Sequence, residues 1–283
     1  MASEEINEQK KILEIINKFS LMDDTFFSYF MDDNLEGMEY ILRIIMDKQD
    51  LIIKTIVPQK EIANIYGRSV RFDVFATDGD GNEYNIEVQN ANTGAVPQRA
   101  RYNSGLLDYH FLQPGKNWLE LPETYVIFIT ANDVLKGNRP IYHIERYVRE
   151  TKELFHDLAH IIYVNGENND DTPLGQLMQD FKQNDPNKIR SKVLADRMKS
   201  IKMDIKGEGK MCKLMEDLME EYAAKKVADA EVLAEARGEA RGELRSTLNA
   251  IKNLMKNMNL SPELAMKTIG ISPKDYNHYL TLL

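Results

Sequence analysis

Hydrophobic positions recur with a helical period at both ends of this chain and with a period of two in its middle. Ile6, Ile12, Leu13, Ile16 and Phe19 line one face of a helix over residues 5–19. Phe26, Phe27 and Phe30 belong to a second helix starting at Asp23 or Asp24, either of which suits a cap, and a third follows at Leu35–Met46. LIIKTIVPQ (51–59) predicts a strand. Along residues 68–89, Val70, Phe72 and Val74 alternate with Arg71, Asp73 and Phe75, and Tyr84, Ile86 and Val88 alternate with Asn85, Glu87 and Gln89. Side chains on a strand point to opposite faces in turn, so each strand has one apolar face and one face free for function. The TDGDGN segment between them is made of residues that favour tight turns. Residues 97–112 predict a helix with Pro97 in its first turn. TYVIFIT (124–130) predicts a buried central strand, and IYHIERYV and HIIYVNG (160–166) predict further strands.

From Asp171 onward the pattern is helical, with TPLGQLMQDF after a turn and a further helix after Pro186. Residues 210–258 contain no proline, and Leu233, Ala236, Ala240, Leu244, Leu248, Ile251, Met255 and Met258 form one stripe at steps of three and four. Gly238 and Gly242 interrupt that stripe as a hinge or a close helix contact. Ser261-Pro262-Glu263 and Ser272-Pro273-Lys274 each read as a cap followed by a first-turn proline, with Gly270 ending the helix between them. Such a pair resembles a helix-turn-helix unit, or a small helical cap that packs or dimerises. The order of elements predicts an α/β fold with a mixed β-sheet flanked by helices over 1–205, a long helical connector over 206–258 and a small helical unit over 259–283.

The hairpin carries the chemistry. If Asp78–Asn82 form a five-residue connection, Asp73 lies opposite Glu87, with Cβ atoms roughly 4.5–5.5 Å apart. Two carboxylates so close repel unless a proton or a cation joins them, and the fitting guest is a hard divalent ion such as Mg²⁺ (or Mn²⁺). Gln89 shares their face and is placed to orient water or touch a phosphate oxygen. The next helix offers Gln98, Arg99, Arg101 and Tyr102; Arg99 and Tyr102, three apart, share a face suited to a phosphate. Asp24 is the first choice for an upstream acid that completes the metal site. The bland alternative is a hydrated hairpin whose acids and arginines merely pair.

Composition narrows the partners. The chain has 283 residues, a net charge of −9 and 43% apolar residues. Residues 206–283 carry 12 basic and 12 acidic side chains, so residues 1–205, with 24 basic and 33 acidic, hold the whole deficit. Contact with DNA must then come from a local patch and bound cations rather than the mean field. One cysteine, Cys212, precludes an internal disulfide and fits a reducing cytoplasm. No apolar run is long enough to span a membrane, and the polar start MASEEINEQKK is not a secretory signal. The His156–His160 spacing would suit zinc on a helix, but Asp157 stands where a metalloprotease needs Glu and His160 opens a strand.

Asp73-x13-Glu87-Val88-Gln89 resembles the PD-(D/E)XK nuclease motif, with Gln89 in the usual lysine position. QKEIANIYGRSVRFDV, YNIEVQ, RARYNSGLLD, LPETYVIFIT, PIYHIER, AHIIYVNG and PLGQLMQDF follow in the order seen in the PD-(D/E)XK nuclease family transposases, related to the recombination-promoting nuclease (Rpn) group. The resemblance covers roughly residues 20–225. It implies a restriction-endonuclease-like core and Mg²⁺-dependent DNA cleavage, with Asp73 and Glu87 as metal ligands. It also implies that Gln89 takes the lysine position and that Asp24 aligns with the acid of the first core helix. The expected function is a cytoplasmic, metal-dependent DNA endonuclease linked to recombination or mobile elements, homo-oligomeric through its C-terminal helices. A neutral amide cannot supply a lysine's charge, so the alternative is a non-catalytic DNA-binding or oligomerising protein on a nuclease scaffold.

Overall fold

The computed structural model describes residues 14, 17–63, 69–90, 94–112, 114–207, 223, 227 and 246–283. The chain divides into two compact units, Met1–Met219 and Glu220–Leu283. The predicted helix over 5–19 lies mostly outside the described residues, as do Leu233, Ala236, Ala240 and Leu244 of the long-helix stripe, Cys212, Gly238 and Gly242.

The first unit opens with two helices, α1 (Asp24–Met31) and α2 (Leu35–Ile45). Asn34 caps α2 by accepting from the Gly37 amide. Asp23 sits at the N-cap position of α1, but its carboxylate turns back to accept from the Ser20 amide and hydroxyl.

Six strands form one mixed sheet: β1 (Ile53–Pro58), β4 (Val74–Asp78), β5 (Glu83–Gln89), β6 (Thr124–Thr130), β8 (Ala159–Asn165) and β7 (Ile141–Ile144), in that spatial order. β4 runs antiparallel to both of its neighbours, β1 and β5; β5, β6 and β8 are parallel, and β7 returns antiparallel at the edge. TYVIFIT is central and buried, as its unbroken apolar run predicts. A separate pair joins β2 (Glu61–Ile62) to β3 (Val70–Arg71). This corrects the expectation of one strand running from Val70 through Phe75: the main strand begins at Val74, and Val70 and Arg71 pair elsewhere. Helix α3 (Pro97–Phe111) follows the hairpin, α4 is Pro173–Phe181, and α5 runs Lys192–Gly207. Pro186–Lys188 forms only a 3₁₀ turn, so the helix expected after Pro186 starts six residues later, beyond Ser191.

Both faces of the sheet are covered. Val74, Ala76, Tyr84, Ile86, Val88, Ile127, Ile129, Ile162 and Val164 are buried on one face, with α1 and α2 packed against β5 and β1. On the other, α3 packs on β6 and β8 over a core including Phe75, Ala100, Leu106, Leu107, Val126, Phe128 and Tyr163. The face of β5 left for function is therefore interior rather than hydrated: Glu83, Asn85 and Glu87 are all buried on the side of the sheet where α3 packs.

In the second unit, residues 246–258 are helical. They precede α6 (Pro262–Thr268), a 3₁₀ turn at Pro273–Asp275 and α7 (Tyr276–Leu280). Ser261 caps α6 through the Leu264 amide, and Gly270 ends it at φ +81°, a conformation that suits glycine. Ile251, Ala265 and Met266 form a small buried core. Among the described residues, no helix is long and apolar enough to cross a membrane.

Candidate active site

The β4–β5 hairpin sets the register. Val74 pairs with Ile86 and Thr77 with Glu83, and the Asp78 amide donates to the Asn82 carbonyl. Asp73 directly precedes the Val74↔Ile86 pair and Glu87 directly follows it, so the ladder delivers both acids to the same end of the hairpin, where the charge of each is felt by the other. The loop holds this register: Asp78 accepts from the amides of Asp80 and Asn82, the Asn82 side chain and the Tyr84 hydroxyl, all at 2.8–2.9 Å. Gly81 adopts φ +88° in this turn. Ser28 Oγ of α1 donates to the Asp73 carbonyl at 2.8 Å and to the Asp24 carbonyl at 3.0 Å. The helix that carries Asp24 is thus pinned to the start of β4. The acids meet at the carboxyl ends of the parallel strands, where open α/β sheets place their ligands.

Asp73 Oδ2 accepts from the Val88 amide at 2.8 Å. Asp73 keeps partial solvent access, whereas the Glu87 side chain is 0% exposed. Burial raises the pKa of Asp73 well above the ordinary carboxylate range, and the charges of Glu87 and Asp24 push it further. The Val88 amide and Arg99 oppose that rise. Burial likewise raises Glu87, against the favourable charge of Arg99. Asn85, two residues earlier on the same face, lends Glu87 a weak stabilising dipole, yet neither of its amide atoms reaches a partner within hydrogen-bond distance.

Arg99 Nη2 contacts Glu87 Oε2 at 2.6 Å, and Asn103 Nδ2, one turn on, donates to Oε1 at 3.3 Å. Arg99 Nη1 reaches Gln89 Oε1 at 3.3 Å and the Gly94 carbonyl at 3.1 Å, while the guanidinium lies over the Phe128 ring at 5.8 Å. This differs from the expected sharing of an outward phosphate face by Arg99 and Tyr102. Gln98, Arg101 and Tyr102 are exposed on α3, but Arg99 turns inward, because a carboxylate sealed from water needs a counter-charge. Asn103 and Gly94 had no sequence signal beyond their nearness to Gln98–Tyr102 and Gln89.

Among the described residues, no three His, Cys, Asp or Glu side chains come together as a metal-binding group. Asp24 is within electrostatic reach of Asp73 and Glu87 without joining them in such a group. The donors of Asp73 and Glu87 nevertheless fit a hard cation: they are oxygens on adjacent strands, and burial and mutual repulsion penalise their charge until a positive partner arrives.

A family model described as PD-(D/E)XK nuclease family transposase matches residues 34–184. The chain belongs to the PD-(D/E)XK nuclease family transposases. The matched span contains the whole sheet, Asp73, Glu87, Gln89 and α3; Asp24 precedes it. Comparison with curated proteins and with solved structures yields no match. Membership of the PD-(D/E)XK nuclease family accords with the six-stranded mixed sheet flanked by helices.

The His156–His160 pair does not form a helical zinc face. His160 lies in β8, where Nδ1 meets Glu145 and Nε2 meets Glu123, and its ring stacks on Tyr125.

Proposed function

We propose that the protein is a metal-dependent DNA endonuclease that hydrolyses phosphodiester bonds in the service of recombination or mobile elements. The observation that carries this reading is the Asp73–Glu87 pair: two acids brought together by adjacent strands in a nuclease-family sheet, each with its charged form penalised by burial. Asp73 and Glu87 would hold Mg²⁺ or Mn²⁺, with Asp24 as an outer acid. The ion, when bound, supplies charge stabilisation to the phosphate and makes water a better nucleophile. Gln89 orients the water through its amide. Gln98, Arg101 and Tyr102, exposed along α3, are available to contact the DNA backbone and fix the scissile phosphate. The test is plasmid nicking with Mg²⁺ or Mn²⁺ by the wild type and Asp73→Ala. Nicking by the wild type alone supports the assignment, and equal nicking by both refutes it.

The presence of Arg99 on Glu87 favours a second reading. A scaffold whose acid is already neutralised by an internal cation, and whose lysine position holds Gln89, would bind DNA without cutting it. Salt-sensitive DNA binding with no cleavage under any divalent ion would establish that reading.

Under either reading we assign self-association to the C-terminal helices, where Leu264, Ile269, Leu280 and Leu282 are exposed. Sedimentation of the full chain as a monomer would exclude it. Its place of work is the cytoplasm, where a lone cysteine stays reduced.

A further inference from the structure

Arg99 contacts the very carboxylate assigned to the metal. Its guanidinium fills one side of Glu87 at 2.6 Å and is braced by Gln89, the Gly94 carbonyl and the Phe128 ring. Glu87 itself has no exposed surface, so a cation approaching Oε2 must contend with the one already there. The arginine side chain, by contrast, is 36% exposed and has a way out toward solvent. Two cations held against one buried oxygen repel, and the interior does little to screen them. The small, strongly attracted divalent ion and the large guanidinium are therefore alternatives at Glu87.

We infer that Arg99 is an internal latch on the metal site: it neutralises Glu87 in the metal-free protein, is displaced when a divalent cation binds, and is thereby freed to meet the substrate phosphate. This rests on the reading of Asp73 and Glu87 as metal ligands. It also accounts for Gln89. An ammonium at that position would lie against the guanidinium, whereas the glutamine amide oxygen accepts from it. Positive charge that position 89 does not carry is supplied from α3 as a movable group. Gly94 makes the arrangement possible, because a Cβ there would stand 1.8 Å from Gln89 Oε1 and 3.6 Å from Arg99 Nη1. Arg99 is a positioning residue before the ion arrives and a phosphate ligand afterwards.

The test is calorimetric titration of Mg²⁺ into the protein without DNA at pH 8.0, where protons compete weakly for the carboxylates. Wild type, Arg99→Gln, Arg99→Lys and Asp73→Asn are compared. The latch requires Arg99→Gln to bind Mg²⁺ about tenfold tighter or more, the scale of one charge-assisted hydrogen bond. Arg99→Lys should fall between it and the wild type, and Asp73→Asn should bind far more weakly. Equal or weaker binding by Arg99→Gln, with Asp73→Asn still impaired, overturns the latch and leaves the metal site standing. Absence of Mg²⁺ binding by the wild type, or indifference to Asp73→Asn, overturns both. A second measurement needs no variant. Phenylglyoxal labelling of the wild type, mapped by mass spectrometry with exposed Arg101 as reference, should rise at Arg99 severalfold when Mg²⁺ is added. Unchanged or lower labelling overturns the latch.

Discussion

The backbone amide of Val88 holds the Asp73 carboxylate at 2.8 Å, next to the strand position of Glu87. The fold thus spends a β-sheet hydrogen-bond donor on keeping two acids together. It does so although burial and the charges of Glu87 and Asp24 all raise the Asp73 pKa.

Asp73→Asn should therefore separate stability from activity. The amide oxygen still accepts from Val88, while the repulsion disappears. Because the folded pKa of Asp73 is raised, its charge destabilises the native state at pH values above the folded pKa, and the penalty fades as pH falls toward the unfolded value. The variant should gain about 1 kcal/mol at pH 8, a Tm rise of about 2–4 °C, and little at pH 4. Nicking should fall by about 100-fold or more. Calorimetric melting at the two pH values and a plasmid assay check both halves; a lower Tm at pH 8 would show that the pair does not repel.

Glu83 sits at the other end of β5, on the same buried face. Burial raises its pKa to about 7, despite a 2.7 Å hydrogen bond from Thr77 Oγ1, and the charge of Asp78 adds to the rise. Its ionisation costs stability progressively from the unfolded pKa, near 4.3, up to about 7, and fully above that. Glu83→Gln should stabilise the protein by on the order of 2 kcal/mol at pH 8 and be neutral at pH 4. Since Glu83 lies at the far end of its strand from Glu87, nicking should be unchanged. Thermal melts across pH 4–8 test the first claim, and a plasmid assay tests the second.

The sequence made the sheet and its central acids legible, because a period of two and a turn-rich loop specify which residues stand opposite each other. The β4–β5 register depends only on the loop length, and the pairs from Thr77↔Glu83 to Val74↔Ile86 follow it; Asp73 lies one residue beyond that ladder. Three things escaped that logic. Val70 and Arg71 continue the alternation of Val74 and Phe75, yet they pair with Ile62 and Glu61, and no local pattern records a change of partner. The polar positions Asn85 and Glu87 mark a face for function but do not record that it is buried, with Arg99 and Asn103 of α3 closing over Glu87. Helical spacing joins Arg99 to Tyr102, but the demand of buried Glu87 for a counter-charge draws the arginine inward. Burial of a polar strand face is a tertiary fact, set by a helix that arrives later in the chain.

Gly94 tests how closely Gln89 must be placed. A methyl group there meets the flexible end of Gln89 rather than backbone, so Gly94→Ala should cost less than about 1 kcal/mol. The Gln89 amide must swing away, however, and leave Arg99 without that contact. Nicking should drop by about tenfold with circular dichroism and Tm nearly unchanged. Undiminished nicking would mean that the position of Gln89 is irrelevant to cleavage.

Asp78 is the furthest test of how the loop serves the site. Burial works against its charge, but hydrogen bonds from Asn82, Tyr84 and Asp80 outweigh it and lower its pKa. A lowered folded pKa means that this stabilisation is present above the unfolded value, near 3.9, and is lost as pH falls through the folded one. Asp78→Ala strips four donors of their acceptor and should cost about 2–4 kcal/mol at neutral pH, with a smaller difference from wild type at pH 2–3. The same change loosens the turn that sets Val74 against Ile86, and with it the convergence of Asp73 and Glu87. Mg²⁺ affinity should accordingly weaken at temperatures well below the melting transition, where the chain is still folded. Calorimetric titration at 10 °C reads this directly: wild-type affinity in a destabilised Asp78→Ala would show that the strands hold their register without the loop.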